Sequence, residues 1–388
     1  MTVRRGPRVG SWILALVVAA CAGGPILANP PASLQPEPAA SPGQRGASDP
    51  IAIRLPGDDA AHQRLTEWWY YTGHLRDVAT GARYGFEDVI FRAERGGFPV
   101  TWASHLAITD EGRDAFHYAQ RSVVGEGVDL AAAAGFSFSL GADPTDPATL
   151  GRPAWTMLGV GGNDHLAARL STAEAVAAGS PGGLGLDLAL HPAKPAVLQG
   201  AAGWVDFGPA GGSYYYSRTD LLASGSIVLD GRTLQVDGSA WFDHQWGDFI
   251  AVGGGGWDWF AVNLADGSDL TLSLVRATDG SYPLVYGTFV DRDGRVSHLE
   301  RTAFSVVVTK HWTSPRTGAV YPAGWTVTIP GQALTINLRP TVQDQELDTR
   351  ASTGVVYWEG SQMVSAVRNG RSLGGEGYVE LTGYGPGN

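Results

Sequence analysis

The segment WFDHQWGDF, residues 241–249, brings large aromatic rings and ionisable side chains together within nine positions. If this segment is a β-strand, alternate side chains face the same way, so His244 and Trp246 share one face. Trp and Tyr rings form rigid apolar walls that carry one polar atom each. A carboxyl group buried among such rings has a raised pKa and keeps its proton near neutral pH. These residue types are suited to holding an apolar molecule and to donating a proton to it.

Further regions of the chain have the same aromatic character: EWWYYTGHL at 67–75, YYYSRTDL at 214–221, GWDWFAVNL at 256–264, and YWEG at 357–360 with GYVELTGY at 377–384. In the third of these, Asp258 stands between Trp257 and Trp259, and on a strand its side chain points away from both rings. The aromatic residues that we predict to contact a ligand are Trp69, Tyr71, Tyr215, Trp241, Trp257 and Trp259.

The elements that must position these side chains are predicted to be β-strands. Alternating leucines at 184, 186, 188 and 190 are separated by small or polar residues, and the apolar residues at 270–274 and 325–329 repeat the pattern. Dipeptides that favour tight hairpins lie between such runs: Asp230-Gly231, Asp266-Gly267, Asp279-Gly280, Asp293-Gly294 and Asn369-Gly370. Strands joined by short turns predict antiparallel sheets.

Helical signal is weak along the chain. The one passable helical pattern covers Asn163–Ala178, where most of the apolar positions are small residues, and a loop with a turn of helix is the alternative. The sequence also contains 54 Gly and 23 Pro, which interrupt the short strands. We therefore predict an all-β fold, built as a barrel or a sandwich.

Composition narrows the possible partners. The chain has 388 residues, of which 44% are hydrophobic and 17% charged, so it can form a folded core. Its net charge is −11, and binding to a phosphate backbone depends on clustered Lys and Arg. We expect no nucleic acid partner.

The N-terminal residues have the layout of an export signal. Basic residues precede the apolar run Trp12–Ala20, which is too short to span a bilayer. The chain's one cysteine, Cys21, follows Val18-Ala19-Ala20 and resembles the cysteine of a bacterial lipobox. An ordinary signal peptide cut near Ala28 is the alternative.

We predict a lipoprotein signal at 1–21 and a flexible tether rich in Pro, Ala and Gly at 22–50. The protein would then be exported to the periplasm or cell envelope and anchored in a membrane through lipid on Cys21. In a Gram-negative cell, the outer membrane is favoured.

Taken in order, the aromatic segments resemble the AttH and CrtC-like family. That family includes the carotenoid 1,2-hydratases (hydroxyneurosporene synthases) and exported proteins described as predicted secreted hydrolases. The resemblance covers residues 62–384 and implies two antiparallel lipocalin-like β-barrel domains packed together. We expect the first domain at 51–247 and the second at 248–388.

The resemblance also implies catalytic candidates, because a His-x-Trp pair and the Asp of a Trp-Asp-Trp motif are implicated in hydratase catalysis. Carried over to this chain, Asp258 would donate a proton, His244 would be its partner or orient water, and Trp246 would face a developing carbocation. A structural role for His244, as a hydrogen-bonded staple beside Asp243, is the alternative. Glu67 is expected to pair with Arg92 or Arg218, because buried charges survive when they are paired.

Other chemistries find little support in the sequence. The nine histidines are scattered and no cysteine would remain after export, so we expect neither a protein-built transition-metal site nor a cofactor. The GRSLG match at 370–374 contains Ser372, but a strand-like segment follows it where a nucleophile elbow needs a helix. A hydrolase is therefore disfavoured.

Three hypotheses for the function remain. The first is a lipid-anchored protein that binds a long apolar molecule, such as a lipid, isoprenoid or polyene, with an ABC-type export system as a partner suggested by the family. The second is a hydratase that adds water to an isoprenoid C=C bond by acid catalysis. The third is a cyclase that templates its substrate in a cleft. The export signal argues against a carotenoid substrate, because these pigments are made at the cytoplasmic membrane.

Overall fold

The computed structural model describes residues 51–131, 135–142, 146–200, 202–249 and 254–385. The predicted signal sequence, the tether and Cys21 lie outside these residues. Within the described part of the chain, no helix combines the length and apolar character needed to cross a bilayer.

The first sheet of the described residues contains twelve strands: β1 (Thr66–Asp77), β2 (Arg83–Ala93), β3 (Thr101–Asp110), β4 (Ala115–Val124), β5 (Phe136–Leu140), β6 (Trp155–Val160), β7 (Asn163–Arg169), β8 (Leu184–Pro192), β9 (Val197–Leu198), β10 (Trp204–Asp206), β11 (Gly212–Leu229) and β12 (Arg232–Gly247). Its main path runs β4-β3-β2-β1-β12-β11-β8-β7-β6-β5, and the short strands β9 and β10 pair with β11. All of the pairings are antiparallel. The sheet curls until it is nearly barrel-shaped.

The second half of the chain forms strands β13 (Gly254–Leu264), β14 (Asp269–Ala277), β15 (Leu284–Val290), β16 (Val296–Glu300), β17 (Ser305–Val308), β18 (His311–Thr313), β19 (Val320–Pro322), β20 (Trp325–Ile329), β21 (Leu334–Pro340), β22 (Glu346–Asp348), β23 (Val356–Arg368) and β24 (Arg371–Leu381). The second sheet runs β16-β15-β14-β13-β24-β23-β21-β20-β17, with β22 paired to β23, and forms a half-barrel. Strands β18 and β19 make a separate hairpin. The predicted all-β fold of two antiparallel, lipocalin-like sheets is confirmed.

The predicted hairpin turns are confirmed at each of the five dipeptides. Asp230-Gly231 joins β11 to β12, and Asn369-Gly370 joins β23 to β24. In both turns the two central residues have positive φ, which Asn, Asp and Gly adopt at least cost. Ser372 lies in β24, directly after the second of these turns, so it does not lead into a helix.

The predicted helix over Asn163–Ala178 is wrong in its first half. Residues Asn163–Arg169 form β7, where every second side chain is buried. Helix α1 covers only Thr172–Ala177, and it begins after a capping box in which Ser171 and Glu174 satisfy each other's backbone N–H groups. Single 3-10 turns lie at Gly57–Asp59, Glu126–Val128, Pro147–Thr149, Gly208–Ala210 and Pro330–Gln332.

Strand alternation divides the buried side chains among separate layers. In β12, Phe242, His244 and Trp246 face the core of the first sheet, while Trp241 and Asp243 face the second sheet. Strand β13 repeats the arrangement, since its even-numbered side chains from 260 to 264 join the core of the second sheet. An aromatic layer therefore lies between the two sheets.

Candidate functional site

A cleft of about 770 Å3, including the part open to solvent, lies between the two sheets. Its walls are mainly aromatic, and its polar lining includes three carboxyl groups. The aromatic side chains that define it include Trp68, Phe91, Tyr215, Trp257, Trp259 and Tyr286. The carboxyl groups belong to Glu87 in β2, Asp243 in β12 and Glu380 in β24.

Glu87 is the carboxyl group with an unused oxygen at the cleft. Its Oε1 accepts a hydrogen bond of 2.8 Å from the Tyr357 hydroxyl, whereas its buried Oε2 has no hydrogen-bond partner. Burial raises the pKa of Glu87 to about 8, although the bond from Tyr357 acts in the opposite direction. Glu87 therefore carries a proton at neutral pH, and Oε2 is free to donate it.

Glu380 is the second carboxyl group at the cleft wall. The indole Nε1 of Trp257 donates a hydrogen bond of 2.8 Å to Glu380 Oε2. Burial raises the pKa of Glu380 to about 7, and the bond from Trp257 limits that rise by stabilising the ionised form. The group is thus close to half-ionised at neutral pH and can either accept or donate a proton.

Behind these two groups lies Glu359 of β23, which is opposite Glu380 in the strand register. Its carboxyl group and the hydroxyl of Tyr70 are buried and interact with each other, but neither makes a hydrogen bond of standard geometry. Burial, followed by the charges of Glu87 and Glu380, raises the pKa of Glu359 well above its ordinary value. Unpaired polar atoms in such a place are costly unless water or a ligand meets them.

Asp243 has a different role, since its carboxyl group is fully occupied. It accepts hydrogen bonds from the Tyr215 hydroxyl at 2.6 Å, the Ser217 hydroxyl at 2.5 Å and Trp241 Nε1 at 2.8 Å. Tyr215 in turn accepts from Trp259 Nε1 at 3.2 Å. Asp243 therefore fixes the orientation of the aromatic wall, and burial raises its pKa to about 6.

His105 of β3 supports Glu87 through Tyr357. Its Nδ1 lies 2.7 Å from the Tyr357 hydroxyl, and its Nε2 lies 3.0 Å from the Ser352 hydroxyl. Burial lowers the pKa of His105 to about 3, so its ring is neutral. Since Tyr357 donates to Glu87, the His105 Nδ1 hydrogen is the donor to the tyrosine oxygen. This chain of bonds connects β3, β23 and β2 and ties the two sheets together beside the cleft.

Three of the residues predicted to contact a ligand, Tyr215, Trp257 and Trp259, line the cleft. Trp241 lies behind this wall, with its ring centre 6.1 Å from that of Trp259. The remaining two, Trp69 and Tyr71, face the opposite side of β1 and belong to the core of the first sheet. Strand alternation separates them from the cleft.

The predicted catalytic trio is not brought together. His244 and Trp246 share a face, as the alternation predicts, with ring centres 4.6 Å apart, but that face is buried in the first sheet. Asp258 lies on the face of β13 opposite Trp257, where it accepts a bond of 3.0 Å from the Tyr384 hydroxyl and lies 3.4 Å from Arg276. Burial raises the pKa of Asp258 to about 6.

A second cluster of ionisable groups surrounds His244. Glu67 Oε1 lies 2.9 Å from His244 Nε2 and 2.7 Å from His62 Nδ1. The expected pairing of Glu67 with Arg92 or Arg218 is wrong, because Arg92 pairs with Glu94 and Arg218 with Asp59. The three candidate ligand atoms lie within 4.8 Å of one another, so scattered histidines do converge here in a set that can hold a metal ion.

The carboxyl groups of the cleft gave weaker signals in the sequence than the aromatic residues. Glu359 and Glu380 stand within the aromatic segments YWEG and GYVELTGY. Glu87 stands in GFEDVIF, where both faces of β2 are buried and no polar alternation marks it. A charged residue inside a strand that is otherwise apolar on both faces is the signal that indicates it.

The two sheets and the cleft between them define a two-domain lipocalin-like protein, and comparison with known families and structures agrees. The AttH-like family model matches residues 46–384, and the chain belongs to that family. The crystal structure of a protein of Nitrosomonas europaea identified as AttH is 31% identical, with a TM-score of 0.72, over 87% of this chain and 98% of that one.

Kievitone hydratase from Nectria haematococca shares the fold, with a TM-score of 0.60 and 16% identity over 87% of this chain and 94% of that one. No curated protein sequence matches the chain significantly.

Proposed function

We propose that this protein binds an elongated apolar molecule between its two sheets and adds water across one of its carbon–carbon double bonds. The observation that carries the proposal is the position of Glu87, a carboxyl group in the lining of an aromatic-walled cleft, whose buried Oε2 has no hydrogen-bond partner. Enclosure by rings supplies apolar contact, and a carboxyl group with an unused oxygen supplies the proton.

In the first step, the Oε2 hydrogen of Glu87 passes to one carbon of the double bond. A C–H bond forms from the π electrons, Glu87 becomes a carboxylate, and the other carbon becomes a cation. The raised pKa of Glu87 keeps this proton available near neutral pH. Tyr357 stabilises the resulting carboxylate through the hydrogen bond that it already donates to Oε1.

The cation is then stabilised by the aromatic walls. A cation over an aromatic face gains about 2 kcal/mol or more when water is excluded. Trp68, Tyr215, Trp257 and Trp259 provide such faces around the cleft. Trp257 donates to Glu380, Tyr215 donates to Asp243 and Trp259 donates to Tyr215, so these three rings keep a fixed orientation.

In the second step, a water oxygen attacks the cationic carbon and a proton leaves that water. Glu380 accepts this proton, since its pKa of about 7 leaves a substantial ionised fraction at neutral pH. The net change is addition of water, with Glu87 ionised and Glu380 protonated. Proton exchange with solvent at the open side of the cleft restores both groups.

Kievitone hydratase supports the proposed reaction class through its fold, which it shares with this protein. That protein is named for adding water to its substrate, and it has the same two-domain architecture. A similarity of 16% identity does not carry residue roles, so the roles given above rest on the groups around this cleft.

The cellular setting belongs to the proposal as well. The apolar run at 12–20 and Cys21 support export and lipid anchoring, which would keep the cleft beside a membrane that contains apolar molecules. An ABC-type export system would be a fitting partner for such an anchored protein. A lipid, isoprenoid or polyene that is present in the cell envelope is the substrate class that fits this location.

The test begins with native mass spectrometry of the protein isolated from its own host, which identifies the molecule that the cleft retains. That molecule is then incubated with the protein in water enriched in 18O. A product heavier by one labelled water supports hydration. A retained apolar molecule that is never altered contradicts hydration and favours the carrier hypothesis, while failure to retain any apolar molecule overturns both.

A further inference from the structure

We propose that His62, Glu67 and His244 bind one divalent transition-metal ion, with Zn2+ as the best fit, and that this ion fastens the segment before β1 to the first sheet. Two imidazoles and one carboxylate are a ligand set that Zn2+ uses in proteins, with water completing a tetrahedral site. The site lies on the face of β12 opposite the cleft, so it goes beyond the function proposed above.

The geometry already places the ligand atoms around one point. Glu67 Oε1 is 2.7 Å from His62 Nδ1 and 2.9 Å from His244 Nε2, and all three candidate atoms lie within 4.8 Å. Ligands of a tetrahedral Zn2+ ion at about 2.0 to 2.2 Å from the metal are about 3.3 to 3.6 Å apart. The two distances from Glu67 Oε1 to the histidine nitrogens, 2.7 and 2.9 Å, would lengthen by about 0.4 to 0.9 Å to reach that spacing.

The hydrogen bonds around His244 indicate that its Nδ1 carries a hydrogen. Arg218 donates to the Tyr216 oxygen at 3.3 Å, and the Tyr216 hydroxyl donates to Asp59 at 2.5 Å. Its one hydrogen is thus used, so the contact of 3.3 Å from His244 Nδ1 must be donated by the histidine.

A neutral imidazole with hydrogen on Nδ1 has a lone pair on Nε2. In this structure that lone pair would face the Glu67 carboxylate, which has lone pairs of its own. A proton or a metal ion between the two atoms, which are 2.9 Å apart, makes both contacts favourable. A metal ion satisfies both, and it also uses the nitrogen of His62 that points to the same oxygen.

Both rings are held by neighbours in the manner of metal ligands. Tyr216 faces the far nitrogen of His244, and Asp58 lies 3.7 Å from the far nitrogen of His62. Such partners orient ligating histidines and increase their basicity. Trp246 also stacks on His62, with ring centres 4.1 Å apart.

Access and charge agree with a metal site. Glu67 and His244 are fully buried, but the His62 side chain is 22% exposed and gives an ion a route from solvent. Arg92, which is opposite Glu67 in the register, directs its guanidinium to Glu94 and to the His62 carbonyl. Asp59 is neutralised by Arg218. The side chains that contact the Glu67 carboxylate are therefore the imidazoles of His62 and His244, and a divalent ion would add positive charge beside it.

The experiment uses the full chain without a polyhistidine tag, stripped with a chelator and titrated with Co2+. We expect one ion per chain, with visible absorption typical of tetrahedral Co2+ that Zn2+ abolishes. His62→Gln is expected to weaken binding at least tenfold, because it removes one ligand from a partly exposed position. His165→Gln is the matched control, since His165 is an exposed histidine paired with Asp187 at 2.9 Å.

A thermal melt provides the second measurement. Zn2+ should raise the Tm of the parent chain and of His165→Gln, but not that of His62→Gln. Absence of saturable Co2+ binding by the parent chain, or equal affinity in His62→Gln, overturns the proposal. Ligand retention in the cleft is measured separately, so failure of the metal site can be distinguished from failure of the proposed function.

Discussion

The Tyr357 hydroxyl in β23 donates a hydrogen bond of 2.8 Å to Glu87 Oε1 in β2, and this bond joins the two sheets at the cleft. It occupies one oxygen of Glu87, while the other oxygen is buried without a hydrogen-bond partner. A carboxyl group held in this way keeps a fixed position while it gains or loses a proton.

Replacing Glu87 by Gln should remove any hydration activity and leave ligand binding nearly unchanged. Gln keeps the oxygen that accepts from Tyr357 but cannot donate an acidic proton. Loss of a general acid lowers kcat by about 100-fold or more. Product formation measured by mass spectrometry tests this, with Glu300→Gln, an exposed substitution in β16, as the control. Equal activity in both variants would remove Glu87 from the acid role.

Replacing Trp257 by Phe should shift the pH dependence assigned to Glu380. The ring remains, but the hydrogen bond of 2.8 Å that favours the ionised carboxylate is lost. The pKa of Glu380 therefore rises, and the acidic limb of the kcat profile moves to higher pH by about one unit, given the worth of a hydrogen bond to a charged group. Trp259→Phe is the matched control, because Trp259 donates to Tyr215 and not to a carboxyl group. An identical limb in both variants would contradict the role of Glu380.

Apolar ligands should quench the tryptophan fluorescence of the cleft. With cis-parinaric acid as the probe, Trp259→Ala is expected to lower affinity about tenfold, or about 1.4 kcal/mol, through loss of buried apolar contact. Trp312→Ala removes a ring from the separate β18–β19 hairpin and should bind like the parent chain. Quenching that is insensitive to Trp259→Ala would place the ligand elsewhere.

Stability should fall as the pH rises from about 5 to 9. The folded pKa values of Glu87 and Asp88 are about 8 and that of Glu380 about 7, all above their ordinary values. Below pH 4.5 both folded and unfolded chains hold these protons, so the stability is fully present. As the pH rises to the folded values, only the unfolded chain releases its protons freely, and stability is lost.

Each pKa unit of difference between the two states corresponds to about 1.4 kcal/mol. Charged or titratable groups near Glu87 include Tyr357, Glu359, Glu380 and Asp88, and the charges of Glu380 and Asp88 disfavour its ionisation. Thermal melts across this range should therefore show a falling Tm, and Glu87→Gln should make the fall less steep. A Tm that rises with pH would contradict the burial of these protonated groups.

Cys21→Ser should move the protein from the membrane fraction to the soluble fraction. The substitution removes the thiol that would receive the lipid. Cell fractionation measures the outcome, and N-terminal sequencing of the released protein shows whether cleavage occurs before residue 21 or near Ala28. Unchanged membrane retention of a processed chain would exclude anchoring through this residue.

Local sequence rules predicted the scaffold well, because strands and turns depend on neighbouring residues. The Asn369-Gly370 turn and the alternation of β8 are examples. The catalytic candidates were harder to predict, because alternation along a strand does not show which distant groups meet a side chain. Asp258 faces the side of β13 opposite Trp257 and Trp259, as alternation predicted, but its partners Tyr384 and Arg276 come from elsewhere in the chain.

Contacts between distant segments left no local pattern at all. His244 and Glu67 are 177 residues apart, and no local pattern in either segment predicts their contact. Glu87 was also hard to predict, since both faces of β2 are buried and apolar and polar residues do not alternate along it. The sequence thus predicted several of the aromatic residues that line the cleft but not the carboxyl group of Glu87 there.

The two faces of strand β12 point to different parts of the protein, the core of the first sheet and the cleft. Asp243 lines the cleft on one side, and His244 belongs to the cluster with His62 and Glu67 on the other. Because successive strand residues alternate in direction, insertion or deletion of one residue before position 241 would exchange the two sets of side chains. The imidazole of His244 would then face the cleft, and the carboxyl group of Asp243 would face the core of the first sheet. The cleft and the histidine–glutamate cluster thus both depend on which residues of β12 face each side of the sheet.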